Sequence, residues 1–424
     1  MDARAATNQT LPPATGLYHG WRIVAAAFLV AVFGWGLGFY GLGIYLVALR
    51  DLHGWSTADI AAAITGYYIL SATLTFFFLG TAFDRYGTRR VVAVGTLAMG
   101  LGVAALTFVT RLWHVYAALA VMSIGCATMT GASISIIVAP WFDRRRGLAA
   151  SLALNGASAG GLVMAPLLIF LIGRLGFAAA LWSAAALMLV VLLPLLALIA
   201  RPKRPDEHHW ADRPPAAAQR ADRSMPSDEP PWNPAAVLRN PNFLTIAIPF
   251  ALGLTAQVGF LTHQVAFLAP LIGTVAAGWA VSLTTFAAVA GRLLTGLFVD
   301  RVDRRAVSCG NFLVQVLAMG VLMSTTSAPM LFAGCFLFGL ALGNLVSLPG
   351  LIVQQEFPKR DFARVVSMVV AVNQYTFAFG PALLGRLEQA QGTYTRALLA
   401  CLLMQLAAAV IVLLPIAARM RRSR

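Results

Sequence analysis

The sequence is poor in charged residues. Asp, Glu, Lys and Arg make up 11% of its 424 residues, whereas apolar residues make up 59%. A soluble globular domain usually contains about 25% charged residues. This shortage excludes an ordinary soluble domain and indicates a protein whose main solvent is the lipid bilayer.

Acidic residues, histidine and cysteine are the scarcest chemical groups. There are 16 Asp and Glu, six His and four Cys. The acidic residues all fall in predicted loops, termini or helix ends, which excludes a catalytic carboxylate inside the membrane. We find no phosphate-binding loop, metal-ligand cluster or nucleophile with a base, so we expect no cofactor, no metal and no enzymatic activity. The cysteines have no paired spacing and are interpreted as packing residues: Cys126, Cys309, Cys335 and Cys401.

Long apolar stretches, by contrast, recur along the whole chain. Each is close to the roughly 20 residues that a helix needs to cross a bilayer. They are apolar on every face, which favours helices over a β-barrel, because barrel strands alternate apolar and polar residues. The predicted fold is an all-α membrane protein with twelve transmembrane helices. Their predicted spans are 22–47, 57–83, 91–110, 114–139, 147–172, 176–200, 242–270, 275–299, 306–327, 329–354, 364–387 and 395–418.

The basic residues are numerous and strongly segregated. The chain has 31 Lys and Arg and a net charge of +15, which by itself could indicate a nucleic-acid partner. If the N-terminus is cytoplasmic, 25 of the 31 lie in cytoplasmic loops and tails, as the positive-inside rule requires. We therefore expect no nucleic-acid partner, a multi-pass protein of the cell inner (plasma) membrane, and both termini in the cytoplasm. The six exceptions are Arg50, Arg111, Arg174, Arg292, Arg386 and Arg396.

Two internal echoes indicate a duplication. The segment Gly80–Arg90 resembles Gly296–Arg305 at an offset of 216 residues. Trp141–Arg145 resembles Glu356–Arg360 at an offset of 215 residues. Two echoes at nearly one offset favour duplication over chance.

One polar segment separates the repeated halves. Residues 201–240 are rich in proline and mixed charge, which is typical of a disordered cytoplasmic linker. The sequence therefore predicts two pseudo-symmetric six-helix bundles, residues 1–200 and 241–424. A carrier of this kind holds its substrate between the two halves near the middle of the bilayer.

The pattern G-x3-D-R-x-G-x-R-R, which begins at Gly80, resembles the signature loop between helices two and three of the major facilitator superfamily. The segment at Gly296 resembles its counterpart between helices eight and nine, except that Asp303 stands where glycine is expected. The resemblance implies that the loop carboxylate closes the cytoplasmic side. The alternative is that these loops only fix topology. The implied gating residues are Gly80, Asp84, Arg85, Gly87 and Arg89, with Asp300 and Arg301 in the second copy.

A narrower resemblance lies before and within predicted helix five. Trp141-Phe142, the basic run that follows and Asn155-Gly156-x3-Gly160-Gly161 are similar to the signature of monocarboxylate porters. His19-Gly20-Trp21 loosely resembles the start of helix one in that family, and the composition resembles a bacterial member. The glycine spacing is also explained by close helix packing. Predicted helix four lacks the buried arginine of proton-driven drug exporters, which disfavours that class.

Arg292 is the only basic residue predicted to lie deep in the membrane. Ionisable groups at such depth are costly and indicate function. With no acidic neighbour in the membrane to neutralise it, a substrate carboxylate is the expected partner, because a guanidinium binds a carboxylate through two hydrogen bonds. The alternative is a structural arginine that binds backbone carbonyls. This arrangement resembles that of monocarboxylate porters, which carry a substrate-binding arginine four residues before the loop glycine, here Gly296. Their proton-coupled members carry an aspartate one turn earlier, and Ala288 stands at that position here.

Further polar residues within the spans are candidate cavity residues. His263 titrates near neutral pH and is a candidate for proton relay or anion binding, with a hydrogen-bonded structural histidine as the alternative. The others could equally form hydrogen bonds between helices. They are Tyr40, Tyr67, Asn155 and Asn373.

Together these features predict a secondary transporter that works by alternating access. We expect a monomer that moves a small organic anion, specifically a monocarboxylate, across the bilayer, and proton coupling is left open. Two alternatives remain: a carrier of an aromatic or drug-like solute, and a membrane receptor that transports nothing, since fold does not fix function.

Overall fold

A computed structural model describes residues 18–142, 146–199, 234–299, 301–358 and 361–422. The regular structure of these ranges is helical. Most of the predicted linker lies outside them, as does Asp300. The helices are α1 His19–Trp35, α2 Gly41–His53, α3 Thr57–Thr73, α4 Leu79–Ala105, α5 Leu112–Met129, α6 Gly131–Val138, α7 Arg146–Leu175, α8 Phe177–Ile199, α9 Pro234–Leu238, α10 Pro241–Ile272, α11 Thr274–Phe298, α12 Arg304–Ser324, α13 Ala328–Leu342, α14 Leu348–Glu356, α15 Phe362–Phe377, α16 Gly380–Gln391 and α17 Thr395–Arg422. Single π-turns at Gly36–Tyr40 and Leu74–Phe78 join α1 to α2 and α3 to α4.

Ten helical stretches of the described residues are long and apolar enough to cross a membrane. Nine of the predicted spans each correspond to one such stretch, and the other three do not. The stretch Thr57–Phe108 has 52 residues and contains two predicted spans, 57–83 and 91–110. Predicted span 329–354 is divided between α13 and α14.

The 52-residue stretch folds back on itself. Gly87 has φ of 76° and is the non-helical residue inside α4. A Cβ on Gly38 would lie 2.8 Å from the Tyr67 hydroxyl and 2.7 Å from the Met99 methyl group. In one straight helix those two residues would be about 48 Å apart at about 1.5 Å per residue. The chain therefore reverses at Gly87, and the two predicted spans are antiparallel segments.

The break between α13 and α14 is stabilised by side-chain amides from two other helices. Asn311 on α12 donates to the carbonyl oxygen of Ala341 at 3.0 Å, and Gln257 on α10 donates to that of Leu342 at 3.3 Å. Asn344, inside the break, donates to Thr295 on α11 and to Asn311, both at 2.9 Å. A helix end buried without such partners would leave carbonyls unsatisfied at a cost of several kcal/mol each. These bonds explain why the interruption is tolerated at membrane depth.

The bundle has two ends. We call the end that carries residues 84–90, 234–241 and 357–358 the linker face, and the opposite end, with the short connections 54–56 and 392–394, the far face. Left-handed glycines end α2 and α16 at the far face, Gly54 with φ of 69° and Gly392 with φ of 68°. At such φ values only glycine avoids steric strain.

The two halves contact each other from mid-membrane to the far face. Near the far face, the Ala382 amide donates to Thr65 at 3.2 Å, and a Cβ on Gly43 would lie 2.7 Å from the Thr262 carbonyl oxygen. Ser282 on α11 also donates to the Leu162 carbonyl oxygen on α7 at 3.0 Å. Within the described ranges, no hydrogen bond joins the halves nearer the linker face than the one between Arg292 and Asn155. The described conformation is therefore sealed at the far face.

Candidate functional site

Arg292 lies between the two halves and is half-buried on α11. Its Nη1 donates to Asn155 Oδ1 on α7 at 3.3 Å. On the other side, a Cβ on Gly343 would lie 3.0 Å from Nε and 3.1 Å from Nη2. No carboxylate of the described residues lies within ion-pair distance of the guanidinium. The site thus holds a cation whose single hydrogen bond is to a neutral amide.

Aromatic side chains cover the far-face side of this cation. Tyr40 lies within electrostatic range of Arg292, and its ring would be 2.7 Å from a Cβ on Gly161, so only glycine admits the ring there. The cluster continues through Phe39, Tyr68 and Phe377 with ring centroids 5.2 to 6.0 Å apart. Such edge-to-face contacts stabilise aromatic clusters. Cation and aromatic cluster together form a site that is charged at one end and apolar at the other.

His263 is fully buried on α10, and both its ring nitrogens have protein partners. Nε2 lies 2.9 Å from the Pro381 carbonyl oxygen and Nδ1 lies 3.0 Å from the Tyr394 hydroxyl. A carbonyl only accepts, so Nε2 carries the proton and Tyr394 donates to Nδ1. Burial raises the pKa of the Tyr394 hydroxyl above its ordinary value, which keeps this donor protonated. The structure thus places His263 in a helix-to-helix network, and its predicted role in substrate binding stays a prediction.

Among the described residues, neither Tyr67 nor Asn373 forms a hydrogen bond with Arg292. Tyr67 is 1% exposed and donates to the Gly38 carbonyl oxygen at 2.5 Å. Asn373 continues the buried face of α15 formed by Val365 and Val369, which packs on α10. Its Oδ1 has no hydrogen-bond partner among the described residues. Of the predicted binding residues, the structure brings together Arg292, Asn155 and Tyr40, and it places Tyr67 at the edge of the aromatic cluster, 5.1 Å from the Tyr68 ring.

The predicted gate of the first half is unengaged in this conformation. Asp84, Arg85 and Arg89 are exposed at the linker face. Within the described part of the chain, none of these three side chains forms a hydrogen bond or ion pair, and Arg85 contacts only the Tyr86 ring, at 5.5 Å. A Cβ atom added at Gly80 would have no other atom within 4 Å, so nothing packs against this glycine in the described conformation. Arg301 is exposed in the corresponding loop of the second half, and Asp300 lies outside the described residues.

The second copy of the motif has a different structure. Asp303 accepts from the amides of Arg305 and Ala306 at 2.8 and 3.1 Å, so it caps α12 where its counterpart Gly87 reverses the chain. Arg305 is 2% exposed and binds both carboxylate oxygens of Glu356 at 2.7 Å. The guanidinium also donates to carbonyl oxygens on α10 and α17, those of Thr245 and Val412, each at 3.1 Å. This arginine therefore joins four helices at the linker face.

The segments with the narrower resemblance contact each other. Tyr18 donates to the Trp141 carbonyl oxygen at 2.6 Å, and the ring of His19 lies 5.0 Å from that of Trp141. Trp21 packs edge-on against Phe142 at 4.9 Å. The start of helix α1 thus packs against, and hydrogen-bonds to, the segment that precedes α7.

Comparisons with known proteins agree with this architecture. A family model described as Major Facilitator Superfamily matches residues 24–276 and 265–423. Monocarboxylate transporter 11 of Mus musculus is 28% identical over 92% of this chain and 85% of that protein. Agnestins efflux protein AgnL12 of Paecilomyces divaricatus is 27% identical over 69% of this chain and 64% of that protein. The crystal structure of nucleoside transporter NupG has the same fold, with a TM-score of 0.69 at 16% identity over 95% of this chain and 99% of that one. Because the family model spans nearly the whole chain, the protein belongs to the Major Facilitator Superfamily and is a membrane transporter.

Proposed function

We propose that the protein is an alternating-access carrier for a small monocarboxylate, built from twelve spans in two six-helix bundles. The antiparallel fold of Thr57–Phe108 supports the count of twelve, as does the division of one span between α13 and α14. The excess of basic residues on the linker face supports an inner-membrane protein with cytoplasmic termini, which acts as a monomer. The described conformation is then the inward-facing one.

The observation that carries this proposal is the unneutralised guanidinium of Arg292. Its position between the halves lets a substrate touch both, and the Asn155 amide on α7 supplies a polar group from the first half. A buried cation without an anion is costly, so a bound carboxylate would be favoured by the full charge pairing. One cation favours a substrate with one carboxylate. Similarity to a relative named as a monocarboxylate transporter supports the same substrate class.

Alternating access would exchange the seal at the far face for one at the linker face. When the carrier faces outward, Asp84, Arg85 and Arg89 are proposed to engage the other half, with Gly80 and Gly87 permitting close approach. Arg301 and Asp300 would take part on the second-half side. The free energy of these linker-face contacts would offset the loss of the far-face contacts. The inward-facing and outward-facing states would then be close in free energy, so that a bound substrate can shift the balance between them.

A bulky residue at Gly43 is expected to open the far face. In the sealed state a leucine Cβ would lie 2.7 Å from the Thr262 backbone oxygen. Overpacking costs about 1–3 kcal/mol, which corresponds to a shift of roughly 5- to 150-fold toward the outward-facing state. Spin labels on the exposed residues Leu52 and Gln389 should report a longer distance in Gly43→Leu. The matched control is Gly173→Leu, whose Cβ meets nothing within 4 Å; an unchanged distance in Gly43→Leu would argue against this seal.

Gly343 is expected to be needed for the position of Arg292. A valine there would place its Cβ 2.7 Å from the Ala288 carbonyl oxygen and 3.0 Å from Arg292 Nε, and so would displace the guanidinium. We expect Gly343→Val to weaken substrate affinity by about tenfold, that is by about 1.4 kcal/mol. The matched control is Gly350→Val, where nothing lies within 4 Å. Equal affinities for the two variants would show that Arg292 does not act from this position.

A second candidate function is export of an aromatic or drug-like solute. The cluster of Phe39, Tyr40, Tyr68 and Phe377 beside Arg292 favours it, because aromatic rings bind flat apolar bodies. Similarity to a relative named as an efflux protein supports it as well. Under this proposal the aromatic cluster rather than Arg292 would carry recognition.

Uptake into proteoliposomes tests the proposed function. The purified protein should accumulate labelled monocarboxylates from a panel that also contains dicarboxylates, nucleosides and neutral aromatic compounds. Repeating the assay with an imposed proton gradient tests whether transport is coupled to proton movement. The sequence offers no acidic residue within the membrane for that role. Transport of neutral aromatics without any carboxylate would favour the second candidate, and no saturable uptake of any compound would favour a receptor.

A further inference from the structure

A cavity lies within the first half, and Arg292 is not among the residues that line it. It has a volume of about 420 Å³ and is bounded by the π-turn Leu74–Phe78, α4 and α5. Its lining includes Phe78, Ala82, Val94, Ile124 and Ala127. The Thr128 hydroxyl is also part of the wall, but it is satisfied by the Ile124 carbonyl oxygen at 2.8 Å. The wall is thus apolar almost throughout.

The cavity opens sideways toward the bilayer. Phe78 and Val94 form its walls and are 60% and 56% exposed. Along the π-turn and α4 it extends from Leu74 to Tyr86, a rise of about 18 Å at about 1.5 Å per residue. That depth is close to half of a hydrocarbon core of about 30 Å. A void of this shape in a membrane is suited to an acyl chain.

Unpaired positive charge lies at the linker-face end of the cavity. Arg90 forms part of the lining and is exposed, like its neighbours Arg85 and Arg89. Among the described residues, Arg90 makes no hydrogen bond or ion pair. Three arginines and the single carboxylate of Asp84 give this segment a net charge of +2. Guanidinium groups at the membrane surface bind phosphate through paired hydrogen bonds, and basic clusters there select anionic lipids.

We propose that this cavity is a binding site for one anionic phospholipid. One acyl chain fills the space between the π-turn Leu74–Phe78, α4 and α5, and the phosphate binds Arg90. Charge complementarity at the mouth and the apolar interior favour this ligand over the transported solute, whose site lies between the halves. The proposal does not depend on the identity of the substrate.

The test uses the full-length protein in vesicles of phosphatidylethanolamine and phosphatidylglycerol. A phosphatidylglycerol with a photoactivatable acyl chain should label residues 74–94 and 124–128 at least tenfold more than the equally exposed apolar face of α17 around Leu403 and Val410. Excess phosphatidylglycerol should compete, and phosphatidylcholine should not. Labelling spread evenly over the lipid-facing helices, or equal competition by phosphatidylcholine, would overturn the proposal.

Variants then separate the two parts of the site. Ala127→Phe fills the cavity and should remove the labelling, whereas Arg90→Gln should reduce it about tenfold. The matched control is Arg174→Gln, because Arg174 is another exposed arginine whose guanidinium lies over Phe170 at 5.5 Å, away from the cavity. Undiminished labelling in both Ala127→Phe and Arg90→Gln would overturn the assignment of the cavity.

Discussion

Replacing Arg292 with alanine is expected to abolish carboxylate binding and transport. The guanidinium has one hydrogen bond, to Asn155, and no carboxylate partner among the described residues. Removing one member of a buried, hydrogen-bonded charge pair costs about 2–5 kcal/mol. At about 1.4 kcal/mol per tenfold change, affinity should fall at least about 25-fold. Equilibrium binding of a labelled monocarboxylate to the purified variant measures this directly.

Two further variants separate charge from geometry. Arg292→Lys keeps the positive charge but loses the two-pronged donor geometry, so we expect an affinity between those of wild type and alanine. Arg386→Ala removes an exposed arginine at the far face and should bind like wild type. Full affinity in Arg292→Ala would exclude this arginine as the carboxylate ligand.

Replacing Arg305 with alanine is expected to destabilise the second half strongly. Glu356, its partner, is 7% exposed and would lose the guanidinium that binds both its carboxylate oxygens. Breaking one side of such a pair costs about 3–5 kcal/mol of unfolding free energy. The loss should appear as a lower thermal midpoint of the detergent-solubilised protein.

Controls for this prediction come from the same loop and the same ion pair. Arg301→Ala removes an exposed arginine and should leave the midpoint unchanged. The double variant Arg305→Met with Glu356→Leu replaces both charges by apolar groups and should regain stability, because desolvation of both ions is then avoided. If Arg305→Ala melts at the same temperature as Arg301→Ala, Arg305 does not join the helices as described.

The helical class and most spans could be predicted from hydropathy, because apolar length is nearly sufficient to define a span. The breaks could not. Gly87 looks in the sequence like any glycine of a charged loop, yet its φ of 76° reverses a stretch that is otherwise continuous. The break after Leu342 depends on amides of Gln257 and Asn311, which lie 85 and 30 residues away from the carbonyls that they bind.

Arg292 could be predicted from sequence because charge at membrane depth is rare and costly. The surroundings of Arg292 could not be predicted from the sequence. Gly343 approaches the guanidinium, and Phe377 joins the aromatic cluster, only because the helices pack against each other. For His263 the sequence left two readings open. Its partners Pro381 and Tyr394 lie 118 and 131 residues away, so no local pattern could distinguish a ligand from a structural side chain.

The two copies of the repeated motif have similar sequences but different environments in the structure. Arg89 and Arg305 occupy equivalent positions, but Arg89 is exposed while Arg305 pairs with Glu356 in the interior. At the position equivalent to Glu356 the first half has no carboxylate, only Pro140 and Trp141. The first copy is therefore free to take part in gating, whereas the second holds its own half together.

Competition between a carboxylic acid and its own amide is the most direct test of the proposal that Arg292 binds a substrate carboxylate. Proteoliposomes would take up a labelled monocarboxylate in the presence of either the unlabelled acid or the primary amide of the same carbon skeleton. We expect the acid to compete at least tenfold more strongly, and the difference to become smaller but persist with Arg292→Lys, which keeps the charge and loses the two-pronged geometry. Equal competition by acid and amide in the wild-type protein would contradict recognition by charge and would leave the aromatic cluster as the binding surface.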